Sequence, residues 1–321
     1  MKKYFVLFLT LLFGSAFAAY IKDYPVTLTQ PDGSVLNCFA SGDEFYNWYH
    51  DENDFTIIAD AEGFYCYAIV LDDEVVASEY KVGSVDPASV GIAPNVHISA
   101  EKRMQIRNDF LKNTKEKPDR EGFNPVKSNS NFGTMNNLVV YITFSDQSPF
   151  DKDTSFYWNM FNQDISGGEQ TLKNYFEIVS YNQFSINSHF YPVSDDDFIV
   201  SYQDKNPREY YMPYSESNPR GYIDEGERMM REHKLLHDAI VYIEDMVPDD
   251  LDLDYDNDGY VDNVVFIVRG DVTAWATLLW PHCWSLYTNY AYINGLQVWD
   301  FNLQVEVHLD ASKASVLCHE M

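Results

Sequence analysis

The segment Leu138-Val139-Val140-Tyr141-Ile142-Thr143-Phe144 is an almost continuous apolar run, typical of a strand buried on both faces. Val264 to Val268 is a second run of this kind. Apolar residues at helical spacing lie between these two runs, within 172–179 and 222–246, and Phe184 to Ser188 alternates like a half-buried strand. Interleaved helices and strands predict an α/β or α+β domain, and we expect an α+β domain over residues 135–321.

The chain before this domain divides into two further parts. Residues 19–100 contain short β-branched and aromatic runs separated by turns such as Pro31-Asp32-Gly33, which predicts a small β-rich module. Residues 101–134 form a basic linker that begins as a polar helix and loses apolar periodicity towards its end. An exposed basic segment is a possible site of proteolytic processing, and a plain solvated linker is the other interpretation.

The first 18 residues predict export. Met1-Lys2-Lys3 is a short basic start, Tyr4 to Phe13 is apolar, and Ala16-Phe17-Ala18 fits a cleavage site. The apolar run is too short to span a bilayer, so we expect a cleaved signal peptide, a secreted or periplasmic protein and no membrane attachment after cleavage.

The charge of the chain restricts its partners. The 321 residues carry 22 Lys and Arg against 50 Asp and Glu, a formal net charge of −28, while 45% of the residues are hydrophobic. This composition predicts a folded protein and excludes nucleic-acid binding driven by phosphate contacts. The oligomeric state stays open.

The four cysteines do not form a metal-binding or redox motif. Cys38, Cys66, Cys283 and Cys318 include no C-x-x-C pair. Cys38 and Cys66 lie in neighbouring strand-like runs and could form a disulfide after export, whereas four buried thiols are the alternative.

The segment from Asp254 to Asp262 has the spacing of a calcium loop. Asp254, Asp256 and Asp258 alternate, Gly259 permits a sharp turn, and Tyr260 can offer its backbone carbonyl ahead of Asp262. The twelfth position is Val265 instead of the bidentate Glu of an EF-hand, so a remote residue would complete the shell. We expect a structural calcium ion here, with an acidic surface turn as the alternative.

The chain ends in His319-Glu320-Met321, preceded by good helix formers from Ala311 to Cys318 with Asp310 as a candidate N-cap. A helix carrying His-Glu-x-x-His directs two imidazoles at one zinc ion and places the Glu beside the bound water. Here only the first His and the Glu are present, and a terminal His-Glu pair by itself has little specificity.

From residue 19 to 321, the order of motifs resembles the immune inhibitor A-like family of secreted zinc metallopeptidases. The matching segments are 30–33 and 42–48 in the β-rich module, and 173–176, 180–184, 254–263, 279–282 and 316–320 in the second domain. The resemblance implies a precursor of a zinc endopeptidase that cleaves peptide bonds in proteins. By that resemblance, the β-rich module is a pro-region that restrains the enzyme, His319 is the first zinc ligand, and Glu320 is the general base.

The same resemblance implies a zincin-like catalytic domain, of which residues 135–321 form the upper half ending at the active-site helix. We therefore expect an incomplete precursor that is inactive by itself, with the other zinc ligands beyond Met321. A non-enzymatic secreted calcium-binding or adhesion module is the competing hypothesis.

The remaining histidines have weaker patterns. His282, among aromatic residues, is expected to be packed and hydrogen-bonded, with a place in the substrate cleft as the alternative. His308 is expected on the surface of an edge strand. His233 and His237 have i, i+4 spacing, but their basic surroundings disfavour a metal ion.

Overall fold

The computed structural model describes residues 21–43, 45–114, 132–164, 170–194, 198–270 and 281–321. The predicted signal peptide, the second half of the basic linker and the first two residues of the segment 279–282 lie outside these ranges. Among the described residues, no helix has both the length and the apolar character needed to cross a membrane.

Residues 21–81 form a six-stranded antiparallel sheet in which every strand pairs with its sequence neighbours. The strands are β1 (Ile21–Thr29), β2 (Val35–Gly42), β3 (Asn47–His50), β4 (Thr56–Ala59), β5 (Tyr65–Leu71) and β6 (Glu74–Lys81). The predicted turn at 31–33 joins β1 to β2, with Gly33 at φ 84° in the left-handed region that glycine adopts without strain. The β-rich character predicted for this part of the chain is confirmed.

A helix, α1 (Ala100–Thr114), follows the sheet and packs on it through basic side chains. Lys102 donates to the backbone carbonyl of Asp73 and forms an ion pair with Glu74. The guanidinium of Arg103 lies 5.7 Å from the centre of the Tyr46 ring. The polar helix predicted at the start of the linker is therefore present, and cation–aromatic contacts hold it against the sheet.

The second domain is a mixed α/β structure around a central sheet of order β12-β15-β11-β7-β8. Its larger elements are β7 (Gly133–Phe144), α2 (Thr154–Asn162), α3 (Leu172–Val179), β8 (Phe184–Tyr191), β9 (Tyr202–Asp204), α4 (Glu225–Ile243), β11 (Val264–Val268), β12 (His282–Ser285), β15 (Asp300–Val305), α5 (Glu306–Ser312) and α6 (Ala314–Glu320). Strands β10 (Tyr260–Val261), β13 (Ala291–Ile293) and β14 (Leu296–Val298) form a small separate sheet.

Four strands of the central sheet are parallel to their neighbours, and β12 lies antiparallel at one edge beside β15. Strand β9 continues the parallel pairing along the last three residues of β7. Parallel strands need crossover helices, which cover both faces of the sheet.

The two buried runs predicted from sequence are confirmed as the centre of the sheet. In β7, Leu138, Val140 and Ile142 face the layer that contains α4, whereas Val139 and Tyr141 face the layer of α2, α3 and α6. Every residue of β11 is also buried. A strand covered on both faces has no solvent side, so its sequence shows no polar alternation.

The surface position predicted for His308 is wrong. Strand β15 ends at Val305 and passes directly into α5, so His308 is helical and only 1% exposed. The Tyr24 ring of the N-terminal sheet packs edge-on against it at 5.8 Å, and the Tyr24 hydroxyl donates to the Val307 carbonyl at 3.3 Å. The local pattern could not predict this burial, because Tyr24 lies 283 positions before Val307 in the sequence.

The predicted N-cap at Asp310 is also wrong. Asp310 lies inside α5. The helix is interrupted at Lys313, whose φ of 55° is not helical, and α6 begins at the next residue. This interruption occurs within a run of good helix formers. After it, Ala314 and Leu317 of α6 pack into the core.

The four cysteines all lie among the described residues, and none of them is in a disulfide. Cys38 and Cys66 are buried but lie on β2 and β5, which are separated in the sheet by β3 and β4. Cys318 is half-buried and Cys283 is exposed, so the alternative of four buried thiols is only partly correct.

Candidate functional site

The acidic loop from Asp254 to Asp262 is folded by its own carboxylates. The Asp254 side chain accepts backbone N–H bonds from Asp258 at 2.8 Å and from Gly259 at 3.0 Å. Asn257 at φ 61° and Gly259 at φ 87° let the chain curl around these carboxylates. The predicted turn at Gly259 is therefore present.

This curl brings three of the predicted ligands together. Asp254, Asp256 and Asp258 each place a carboxylate oxygen within 4.8 Å of the other two, and all three side chains are half-buried. Several carboxylate oxygens at this separation suit a hard cation such as calcium better than zinc, which favours nitrogen and sulfur. The donor set fits the predicted calcium ion.

Asp262 closes the loop from the other end, where its carboxylate accepts the Tyr255 N–H at 2.9 Å. Burial, together with the nearby charges of Asp256, Asp254 and Asp258, raises the pKa of Asp262 to about 7. This loop thus concentrates negative charge that a bound cation would neutralise.

Tyr260, the predicted carbonyl ligand, begins the short strand β10. Its ring packs edge-on against Trp299 at 5.8 Å, and β10 pairs in parallel with β14. The role of its carbonyl stays a prediction. Val265 occupies position 12 of the calcium loop and is buried in strand β11. A strand therefore follows this loop, where an EF-hand would have its second helix.

His319 and Glu320 lie in the last turn of α6, with His319 exposed and Glu320 half-buried. Ala314 and Leu317 fix this helix against the second core layer. Among the described residues, His319 does not group with two further His, Cys, Asp or Glu ligand atoms. These residues alone do not fit a zinc ion.

The structure connects the end of α6 to the acidic loop, which the sequence did not reveal. Asn263, the residue after Asp262, donates from Nδ2 to Asn137 Oδ1 at 2.7 Å and to Met321 Sδ at 3.2 Å. The loop, the start of β11 and the end of α6 therefore meet at one end of the central sheet.

A second ligand-like group, Asp23, His50 and Asp54, lies in the N-terminal sheet. Its geometry is poor for a metal, because Asp23 approaches His50 Nε2 at 3.6 Å while Asp54 approaches Nδ1 at 3.5 Å. Each ring nitrogen also has a closer partner, the Ser41 hydroxyl at 2.8 Å and the Asp51 carbonyl at 2.9 Å. No single imidazole lone pair faces both carboxylates, so the group fits a hydrogen-bonded histidine better than a metal site.

Three other histidines of the second domain have separate partners. His282 Nε2 lies 3.2 Å from Glu232 Oε1, which agrees with the predicted packed, hydrogen-bonded histidine. His233 Nδ1 lies 2.6 Å from the Thr288 hydroxyl, and His237 Nδ1 lies 3.0 Å from Asp238.

Comparison of the chain with protein-family models and with curated proteins gave no match.

Proposed function

We propose that this chain is part of the precursor of a secreted zinc-dependent endopeptidase with a zincin-like catalytic domain. One structural observation carries the proposal. His319 and Glu320 are adjacent on a helix that packs against a mixed sheet with one antiparallel edge strand. This arrangement fits the strand-rich upper half, ending at the active-site helix, that the family resemblance implies.

The zinc site of this proposal needs ligands in addition to the described residues, because His319 supplies a single imidazole. Zinc, when bound, supplies a water molecule of lowered pKa at such sites. The family resemblance assigns His319 to the metal and Glu320 to proton acceptance. Their adjacent positions in the last turn of α6 put both side chains at the same end of that helix.

The acidic loop has a structural role in this proposal. A calcium ion on Asp254, Asp256 and Asp258 would fix the turn that leads into β11. Asn263, which follows this turn and contacts Met321, would then stabilise the position of the end of α6. Calcium would thus support the helix that carries His319 and Glu320 without taking part in the chemistry.

The N-terminal sheet contacts the second domain close to that helix. Tyr24 covers His308 and bonds to the carbonyl of Val307 in α5, one helix before α6. This contact supports a restraining role for residues 19–100, with cleavage in the basic linker as the release step.

The experiment is peptide hydrolysis by the secreted gene product that contains this chain, with and without zinc chelation. Glu320→Ala should abolish zinc-dependent cleavage of a denatured protein substrate, while the matched control Glu62→Ala, an exposed Glu of the N-terminal module, should leave it intact. Undiminished cleavage by Glu320→Ala would refute the assignment.

A calcium-binding or adhesion module without peptidase activity is the second candidate function. The convergent carboxylates of the acidic loop favour it, since they explain cation binding without zinc. Calcium binding combined with no hydrolysis in the secreted gene product would select this alternative.

A further inference from the structure

The N-terminal sheet contains a cavity of ≈ 680 Å³ that the proposed peptidase function does not use. It lies between the paired strands β1 and β2, the turn at 51–53 and the segment 85–87. Its size is within the range of pockets that hold organic ligands, about 300–1,000 Å³.

The floor of the cavity is apolar and aromatic. Phe55 and Tyr67 meet edge to face with ring centres 6.1 Å apart, and both are less than 10% exposed. Val26 and Cys38 are paired residues of β1 and β2 and complete the floor.

The rim of the cavity is acidic. Asp51, Glu52 and Asp86 line it, and none of the described lining residues is Lys, Arg or His. The described hydrogen bonds of the Asp51 side chain all go to Oδ1, which accepts the N–H groups of Asn53 and Phe55 at 2.9 and 3.0 Å. One carboxylate oxygen therefore holds the turn, and among the described residues no hydrogen bond uses the second oxygen.

The negative potential reaches the floor of the cavity. Burial raises the pKa of Tyr67, a hydrogen bond with the Gly83 backbone lowers it, and the charges of Asp51 and Asp86 add smaller increases. The rim carboxylates do not form a metal-like group, because no three ligand atoms among them lie within 4.8 Å of one another. The spacing fits an extended organic cation better than a bare metal ion.

We propose that this cavity binds a lysine or arginine side chain of a basic peptide, with the charged end at the rim carboxylates and the aliphatic stem on the aromatic floor. A methylene stem packs against apolar and aromatic surface while its cation stays near carboxylates and solvent. The lining of the cavity contains both environments. This site is independent of the peptidase proposal.

The test is calorimetric titration of the full chain with the blocked peptide Gly-Lys-Leu-Lys-Gly and with its isostere in which norleucine replaces both lysines. The double variant Glu52→Gln/Asp86→Asn removes two rim charges, and Asn at 86 keeps an oxygen for the Ala88 N–H that Asp86 accepts at 3.2 Å. Glu62→Gln/Asp72→Asn is the matched control, since it removes two exposed acids of the same module outside the cavity.

We expect the lysine peptide to bind and the norleucine peptide to bind at least about tenfold more weakly. The rim variant should weaken lysine binding about tenfold, and the control variant should leave it within about twofold. Equal losses in both variants would show attraction to the general acidity of the chain and overturn the proposal. So would equal affinity for the two peptides, or no binding of the lysine peptide to the wild-type chain.

Discussion

Replacing Asp256 by Asn should stabilise the chain without calcium and destabilise it with calcium. The side-chain oxygen of Asn can still accept the N–H of Asp258, which Asp256 Oδ1 accepts at 3.1 Å. The substitution therefore keeps the turn and removes one charge. In a cation site, the effect of the substitution on stability should change sign when calcium is added, because the charge of Asp256 is unfavourable only while no ion neutralises it. An acidic surface turn would show no such change.

The magnitude follows from the separation of the carboxylates. Two unit charges 4.8 Å apart repel by about 1 kcal/mol in water and by about 3.5 kcal/mol at an effective dielectric constant of ~20. Since the three carboxylates are half-buried, we expect Asp256→Asn to raise the free energy of unfolding without calcium by about 1–2 kcal/mol.

Calcium should have the larger effect on the wild-type chain. A ligand at 100 times its Kd stabilises the folded state by about 2.7 kcal/mol, which raises Tm by about 5–10 °C for a domain of 150–250 residues. Asp256→Asn should lose most of this gain, because it removes one of three convergent ligands.

The assay is thermal unfolding followed by circular dichroism, in EGTA and over a calcium series, with magnesium as the ion control. Asp249→Asn is the matched variant, since Asp249 is an exposed acid just before the loop. A wild-type Tm that calcium leaves unchanged, or an Asp256→Asn variant less stable than wild type in EGTA, would refute the reasoning.

Two further predictions concern His308 and the cysteines. Burial lowers the pKa of His308 from 6.5 to about 4. Between these two pH values the unfolded chain binds a proton that the folded chain does not, so the free energy of unfolding should fall by about 3 kcal/mol as the pH drops from 6.5 to 4. His308→Gln should remove this part of the pH dependence in denaturant titrations, and an unchanged slope between pH 6.5 and 4 would contradict the prediction. A maleimide should label exposed Cys283 in the folded chain before the buried Cys38 and Cys66, as peptide mass spectrometry can show. Labelling of all three at equal rates would contradict the described burial.

The strands of the central sheet could be predicted because their signal is local. A continuous apolar run such as 138–144 requires burial on both faces wherever it lies, and β7 and β11 satisfy this requirement. The spacing of the acidic loop was similarly informative, since alternate carboxylates and a glycine are enough to fold it around its own oxygens.

Predictions failed where distant residues decide the outcome. The alternation of Val305 and Val307 resembled a strand, yet the chain becomes helical at Glu306 and Tyr24 buries His308. The sequence left open whether Cys38 pairs with Cys66, because the answer depends on the order of strands in the sheet, where two strands separate them.

The sequence by itself therefore determined which segments are buried strands and which oxygens gather in the acidic loop, because hydrophobic period and turn chemistry act over a few residues. Only the tertiary structure decided that this loop meets the end of α6 through Asn263 and Met321. It also created the acid-rimmed cavity of the N-terminal module from β1, β2 and two turns. Such contacts depend on chain topology, which brings together residues that no local pattern relates.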